Sequence, residues 1–317
     1  MNWKRPLKNI RSLLKSYIKQ NNLKSLVLGV SGGIDSALVA AIAQPVCQSL
    51  GIKLIGRSLP QSTNKKDEIK RAKNIGNSFC TDFKIHIINK EVSKLLNACE
   101  TDYGSILYTH TSLQTTFNKI AEGNVKARTR MILLYDLAYR TQGIVLGTDN
   151  LTEFLLGFWT MHGDVGDYGM IQNLWKTEVY DLAEWVCENE LRDKDDYRYV
   201  FLKDCIKAVP TDGLGITNSD LDQLGAPTYL EVDNILKAWL TENIIHFRSF
   251  SLEDYLNYSG RLEDPDKFFK YRLSLKNHPV VQRHIKSEFK RNNPINLKRD
   301  LIFKRERGRG KNEFKKT

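Results

Sequence analysis

Within eight residues, Gly29-Val-Ser-Gly-Gly-Ile-Asp-Ser36 gathers two adjacent glycines, two serines and one carboxylate, directly after an apolar run. These types in this order suit the binding of a phosphate chain. Gly32 and Gly33 let backbone N–H groups approach an anion with no Cβ in the way, and Ser31 and Ser36 add hydroxyl donors. Gly29, Val30 and Ile34 complete the run. Asp35 is the exception, because a carboxylate beside a phosphate repels it unless a cation such as Mg2+ bridges the two. The run lacks the lysine of GxxxxGK[ST] and the spacing of GxGxxG.

Such a nest works only where a strand feeds a helix. The apolar segment Ser25–Val30 predicts a strand, and a helix beginning near Ser36 would aim its free N–H groups and the positive end of its dipole at the turn. Before it, Ile10, Leu13, Leu14 and Ile18 recur at helical spacing among basic residues, predicting an amphipathic helix over 2–22. After it, the helix to Leu50 should kink or end early at Pro45. Lys53–Leu59 and Phe83–Ile88 predict strands, Asn64 caps a helix running to Ile75, and Gly76 stops it. A long helix over Thr115–Tyr139 precedes the strand Ile144–Gly147, and helices over Asp181–Glu188 and Tyr229–Thr241 follow. Strands separated by helices of this length predict an α/β fold with a Rossmann-like parallel sheet and helices on both faces, in a single domain with a helical C-terminal part. Ligands of such sheets sit at the carboxyl ends of strands, where both the glycine run and the segment after Gly147 lie.

The gross numbers set limits on partners. Of 317 residues, 41% are hydrophobic, enough for a substantial core. Five cysteines with no CxxC pair argue against a disulfide framework or zinc site and fit a reducing, cytoplasmic setting. The charged N-terminus is no signal peptide, and no run is long and apolar enough to span a bilayer. The net charge of +11 resides in residues 261–317, which hold 18 Lys and Arg against 7 Asp and Glu. The chain is therefore expected to comprise an N-terminal helix over 1–23, a folded body and a basic, largely disordered tail over 297–317. That tail is a candidate surface for nucleic acid or another acidic partner, with a merely solvated end as the alternative.

The glycine run resembles the SGGxDS signature of the PP-loop ATP pyrophosphatases, which split ATP between its α and β phosphates. Further matches narrow the family: Gly123-Asn-Val-Lys-Ala-Arg-Thr-Arg-Met131, Leu146-Gly-Thr-Asp-Asn-Leu-Thr-Glu153 and Gly157-Phe-Trp-Thr-Met-His-Gly-Asp164 look like NAD synthetase. The likeness continues through Pro210-Thr211 and Leu214-Gly-Ile216 to a closing element at Glu288-Phe-Lys-Arg291, covering residues 24–296. It implies an adenine nucleotide alpha hydrolase-like fold and amidation of deamido-NAD by ammonia through an adenylate, with release of AMP and pyrophosphate. With only 24 residues before the first strand, glutamine is not expected as the direct donor; free ammonia, or a separate glutaminase, is the expected nitrogen source, and a homodimer is the family's usual assembly.

By the same resemblance, Gly29 to Ser36, Thr148, Lys176 and Thr211 would bind ATP, with Asp35, Lys176 and Thr211 in catalysis and Asp35 and Glu153 holding Mg2+. Asn124, Arg128, Asp164, Asp167, Phe289 and Lys290 would bind deamido-NAD. The chain departs from the family at Met161, where a lysine is usual, and at Asn150 and Phe289, where histidines are usual. It has Ser58 in place of an arginine, with Arg57 one residue off on the opposite strand face, and Thr211–Gly215 replaces a longer mobile lid whose glutamate is here Gly213. Two other functions share the loop. One is a GMP-synthetase-like or tRNA-modifying enzyme, against which GNVKAR and GTDNLTE argue; the other is a non-catalytic nucleotide binder, which would not need Asp35, Glu153 and Lys176 together.

Overall fold

The computed structural model describes residues 1–62, 64–103, 112–191, 197–210, 219–247 and 275–292. Thr211, Gly213 and the basic tail over 297–317 lie outside the described residues. Five parallel strands form the sheet: β1 (Ser25–Gly29), β2 (Lys53–Ser58), β3 (Asp82–Ile85), β4 (Gly143–Gly147) and β5 (Tyr168–Gly169), in the order β3-β2-β1-β4-β5. The chain leaves β1 toward β2 on one side and returns from β3 to β4 on the other. The strand order thus reverses between β1 and β4, and the crevice at their carboxyl ends is where ligands of open parallel sheets bind.

The pleat sorts the strand residues onto two cores. Leu26, Leu28, Leu54 and Leu146 face a layer built from α1 (Lys4–Gln20), α2 (Ile34–Leu50), α3 (Lys66–Phe79), α7 (Lys176–Val186) and α8 (Tyr197–Lys207). Val27, Ile55 and Val145, on the opposite face, pack on α4 (Asn89–Tyr103) and α5 (Ser112–Arg140). A third, helical core joins α6 (Leu151–Leu156), α9 (Asp220–Leu224), α10 (Tyr229–Phe247) and α11 (Pro279–Lys286), with α12 (Glu288–Arg291) closing the described chain. Among the described residues no helix is long and apolar enough to cross a membrane.

Three expectations change. Of the kink or early end expected at Pro45, the early end does not occur, since α2 runs through it to Leu50. Proline leaves the carbonyl four residues back without its helical donor, and Arg11 of α1 supplies one, donating from Nη2 to Ala41 O at 3.3 Å and from Nε to Ile42 O at 3.3 Å. Glu190, in a turn of π-helix over Cys187–Leu191, steadies Arg11 through bonds of 2.6 and 2.7 Å. Gly76 does not stop α3 either, since the helix continues to Phe79. A Cβ on Gly76 would lie 2.1 Å from the Phe83 ring, so this glycine serves the close approach of α3 to β3. Asn64 is not the cap of α3; Lys65 takes that place, while Asn64 bonds Gln61 N and Glu68. The helix α4 and the two-residue β5 were not expected.

Candidate active site

At the turn from β1 into α2, the glycine run is built as a nest. Gly32 has φ of +86° and lies against α3, where a Cβ would stand 2.4 Å from Glu68 O. Only glycine fits that conformation and that gap. Arg71 of α3 donates from Nε to Gly32 O at 3.0 Å, fixing the peptide from behind. Ser31 and Ser36 close the loop with Oγ atoms 3.1 Å apart, and Ser36 also donates to Gly33 O. No side chain caps α2 at Gly33, so its N-terminus and the positive end of its dipole face the crevice.

Across the crevice, β4 runs through Thr148 to α6, whose N-cap is Asn150. Asn150 is fully buried. Its Oδ1 accepts from Glu153 N at 3.0 Å, and Glu153 Oε2 accepts from Asn150 N at 3.4 Å, a reciprocal capping box. The amide of Asn150 then donates from Nδ2 to Asp35 Oδ1 at 2.9 Å. Lys176, the first residue of α7, closes the ring: its Nζ lies 2.6 Å from Asp35 Oδ2 and 2.9 Å from Glu153 Oε1. Four residues from three helices are thus joined head to tail, with each oxygen of both carboxylates engaged.

The electrostatics of this ring follow from its burial. Lys176 is 2% exposed. Burial opposes its charge, yet Asp35 and Glu153 outweigh that cost and hold its pKa well above the ordinary lysine value. Burial pushes the Glu153 carboxyl up to about 7 against the pull of Lys176. The half-buried Asp149 is also raised, by desolvation first and then by the charges of Asp164, Glu153 and Asp35. The Tyr229 ring lies 5.5 Å from Lys176 Nζ and adds a cation–π contact.

A second group forms around the segment 157–164 after α6. Thr160 donates to Asn124 Oδ1 at 2.9 Å and from its backbone N to Asp164 Oδ1 at 2.7 Å. Arg128 Nε donates to Met161 O at 3.2 Å, so at the lysine-to-methionine departure it is the backbone that Arg128 uses. Lys290 of α12 donates to Gly157 O at 2.7 Å and to Trp159 O. Asn124, Arg128, Asp164 and Lys290 therefore meet on one loop. Asp167 is apart from them: its Oδ2 accepts from Val145 N at 2.9 Å and its Oδ1 from Tyr135 Oη at 3.0 Å. Phe289 is 58% exposed. Arg57 points away from the crevice and pairs with Asp82 at 3.1 Å.

Asn150 as a site residue went unread in the sequence, although the Asn150-Leu-Thr-Glu153 spacing is itself a capping signal. The half-buried Arg130, which donates to Leu59 O at 3.0 Å, and Arg71 carried no comparable signal.

A family model described as NAD synthase matches residues 6–253. The chain belongs to the NAD synthase family. An NAD synthase is a ligase of NAD biosynthesis that takes ATP as a substrate. The NH(3)-dependent NAD(+) synthetase of Thermococcus sibiricus is 32% identical over 228 residues, covering 71% of this chain and 76% of the relative. Among solved structures, the NH3-dependent NAD synthetase from Campylobacter jejuni superposes with a TM-score of 0.60 at 25% identity, over 94% of this chain and 100% of that one. The NMN synthetase from Francisella tularensis shares the fold, with a TM-score of 0.66 at 21% identity over 94% and 99% of the two chains. The PP-loop, NAD synthase fold expected from the motifs is therefore the one present.

Proposed function

We propose that the chain amidates deamido-NAD with ammonia, consuming ATP and releasing AMP and pyrophosphate through an adenylate. The observation that carries this reading is the convergence of Asp35, Glu153 and Lys176 beside the nest at the β1/β4 switch point. A carboxylate is a poor electrophile, so the nicotinate carboxylate first attacks the α-phosphorus of ATP and pyrophosphate leaves; ammonia then displaces AMP from the anhydride. This sequence uses no protein nucleophile. The chain supplies position and charge. The α2 N-terminus and the hydroxyls of Ser31 and Ser36 receive the departing pyrophosphate, and Lys176, kept protonated by its carboxylates, offsets the charge that develops on it. Thr148, one residue past β4, binds ATP in this reading, and its role and that of Thr211 rest on the resemblance.

Asp35 and Glu153 suit Mg2+. Their hard oxygens already converge on one cation, the Lys176 ammonium. Among the described residues no three or more His, Cys, Asp or Glu cluster as a metal cage, and Mg2+ typically takes one or two carboxylates together with phosphate oxygens and water. Bound there, the ion would neutralise the phosphate oxygens. Asn124, Arg128, Asp164, Phe289 and Lys290 bind deamido-NAD along the 157–164 segment in this reading, while Asp167 serves by holding β4. The protein acts as a homodimer through α5, whose Ile132 and Tyr139 are 61% and 86% exposed one and three turns beyond Arg128. Five free cysteines suit a reducing cytoplasm.

Incubating the protein with ATP, Mg2+, deamido-NAD and ammonium should yield NAD and AMP in equal amounts. Absence of NAD overturns the reading, and amidation of nicotinate mononucleotide in preference to deamido-NAD overturns the choice of acceptor.

A further inference from the structure

Asp233 is a fully buried carboxylate on α10 that touches no part of the crevice ring, yet it grips the immediate neighbours of two ring members. Its Oδ1 accepts from Thr152 Oγ1 at 2.6 Å, and its Oδ2 accepts from Thr177 N at 2.9 Å and Thr177 Oγ1 at 2.7 Å. Thr152 precedes Glu153 at the start of α6, and Thr177 follows Lys176 at the start of α7. Thr152 Oγ1 also accepts from Lys176 N at 2.9 Å, so one hydroxyl joins Asp233 to the backbone of the lysine itself. A carboxylate at the N-termini of two helices meets the positive ends of both dipoles. Tyr229, one turn earlier on the same face of α10, brings its ring to Lys176 Nζ.

We propose that Asp233 is a positioning residue for ATP cleavage, fixing how far Glu153 stands from Lys176 by docking the first turns of α6 and α7 on one carboxylate. The inference rests on the functional reading above. It differs from a mere packing role in what it demands: both neighbours of Asp233 must be donors, and losing either must slow turnover in molecules that remain folded. Asparagine at 233 keeps the volume, but in either orientation it turns its NH2 toward one of the donor sides, Thr152 Oγ1 or the Thr177 N–H and hydroxyl, and so disturbs the start of α6 or of α7. Partners at this remove from the reacting groups typically change activity by about 10- to 100-fold.

The test uses the full chain and follows exchange of labelled pyrophosphate into ATP in the presence of deamido-NAD, normalised to folded protein by circular dichroism. Asp233→Asn and Thr177→Val should lower kcat by about 10- to 100-fold with the KM for ATP within about threefold, and Thr177→Ser, which keeps the hydroxyl, should recover kcat to within about threefold of the wild type. Should Asp233→Asn fail to fold, the Thr177 pair decides. A wild-type chain without exchange overturns the functional reading and this inference with it. An active wild type beside a Thr177→Val variant of unchanged kcat, or a Thr177→Ser variant as slow as Thr177→Val, overturns the inference alone.

Discussion

A lysine at the first position of a helix sits against the positive end of the dipole, and burying it adds a desolvation cost. Lys176 accepts both because Asp35 and Glu153 face it within hydrogen-bonding distance. Those three residues were legible in the sequence, since their motifs place them at strand and helix ends. The part played by Asn150 was not: the histidine-to-asparagine change suggested a lost contact, whereas the amide spans from its own helix cap to Asp35. A composition of types says which groups are near, but not which lone pair each donor takes. Asp164 gives a titration that can be followed. Burial raises its pKa from the ordinary 3.8 to about 6, against the Thr160 N–H bond. A carboxyl raised on folding stabilises the protein fully below its unfolded pKa, and that contribution is lost as pH climbs through the folded value. Urea midpoints should therefore fall between pH 4 and pH 6, and Asp164→Asn should flatten that fall by roughly 2–3 kcal/mol across the window.

At the scale of elements, the sheet and its helices were predictable where periodicity spans enough residues. The four longer strands and the long α5 follow directly from apolar runs and spacing. What escaped was punctuation overruled by tertiary contacts. Pro45 reads as a stop only if no donor can reach the carbonyl it frees, and Arg11, 30 residues away, does reach it. Gly76 reads as a stop only if nothing crowds it, and the Phe83 ring fills the space a side chain would need. β5 is too short to show a period. The glycine that does act through its backbone is Gly32. Gly32→Ala forces a Cβ to 2.4 Å from Glu68 O at a positive φ, so α3 and the nest must separate. The expected cost is about 1–3 kcal/mol of stability, read by urea unfolding, with ATP affinity lowered at least about tenfold in calorimetry.

For the molecule as a whole, the exposed face of α5 makes the proposed dimer testable. Ile132→Glu combined with Tyr139→Glu sets charges on that face, and sedimentation equilibrium should show a dimer for the parent chain and monomers for the variant. Unchanged assembly would move the interface elsewhere. A different consequence follows from how α6 is fastened. Six residues cannot hold a helix by themselves, so the rigidity of Glu153 is imported from both ends. At the far end, His284, Ser287 and Arg291 all turn to Leu155 O and Arg283 to Leu156 O, contacts that span 127 to 136 positions of sequence. A chain emerging from the ribosome completes the sheet and the nest long before it makes residues 283–291. Until then only the start of α6 is held, by the Asn150 cap, Lys176 and Asp233, and its far end waits for residues 283–291 to fold back onto it.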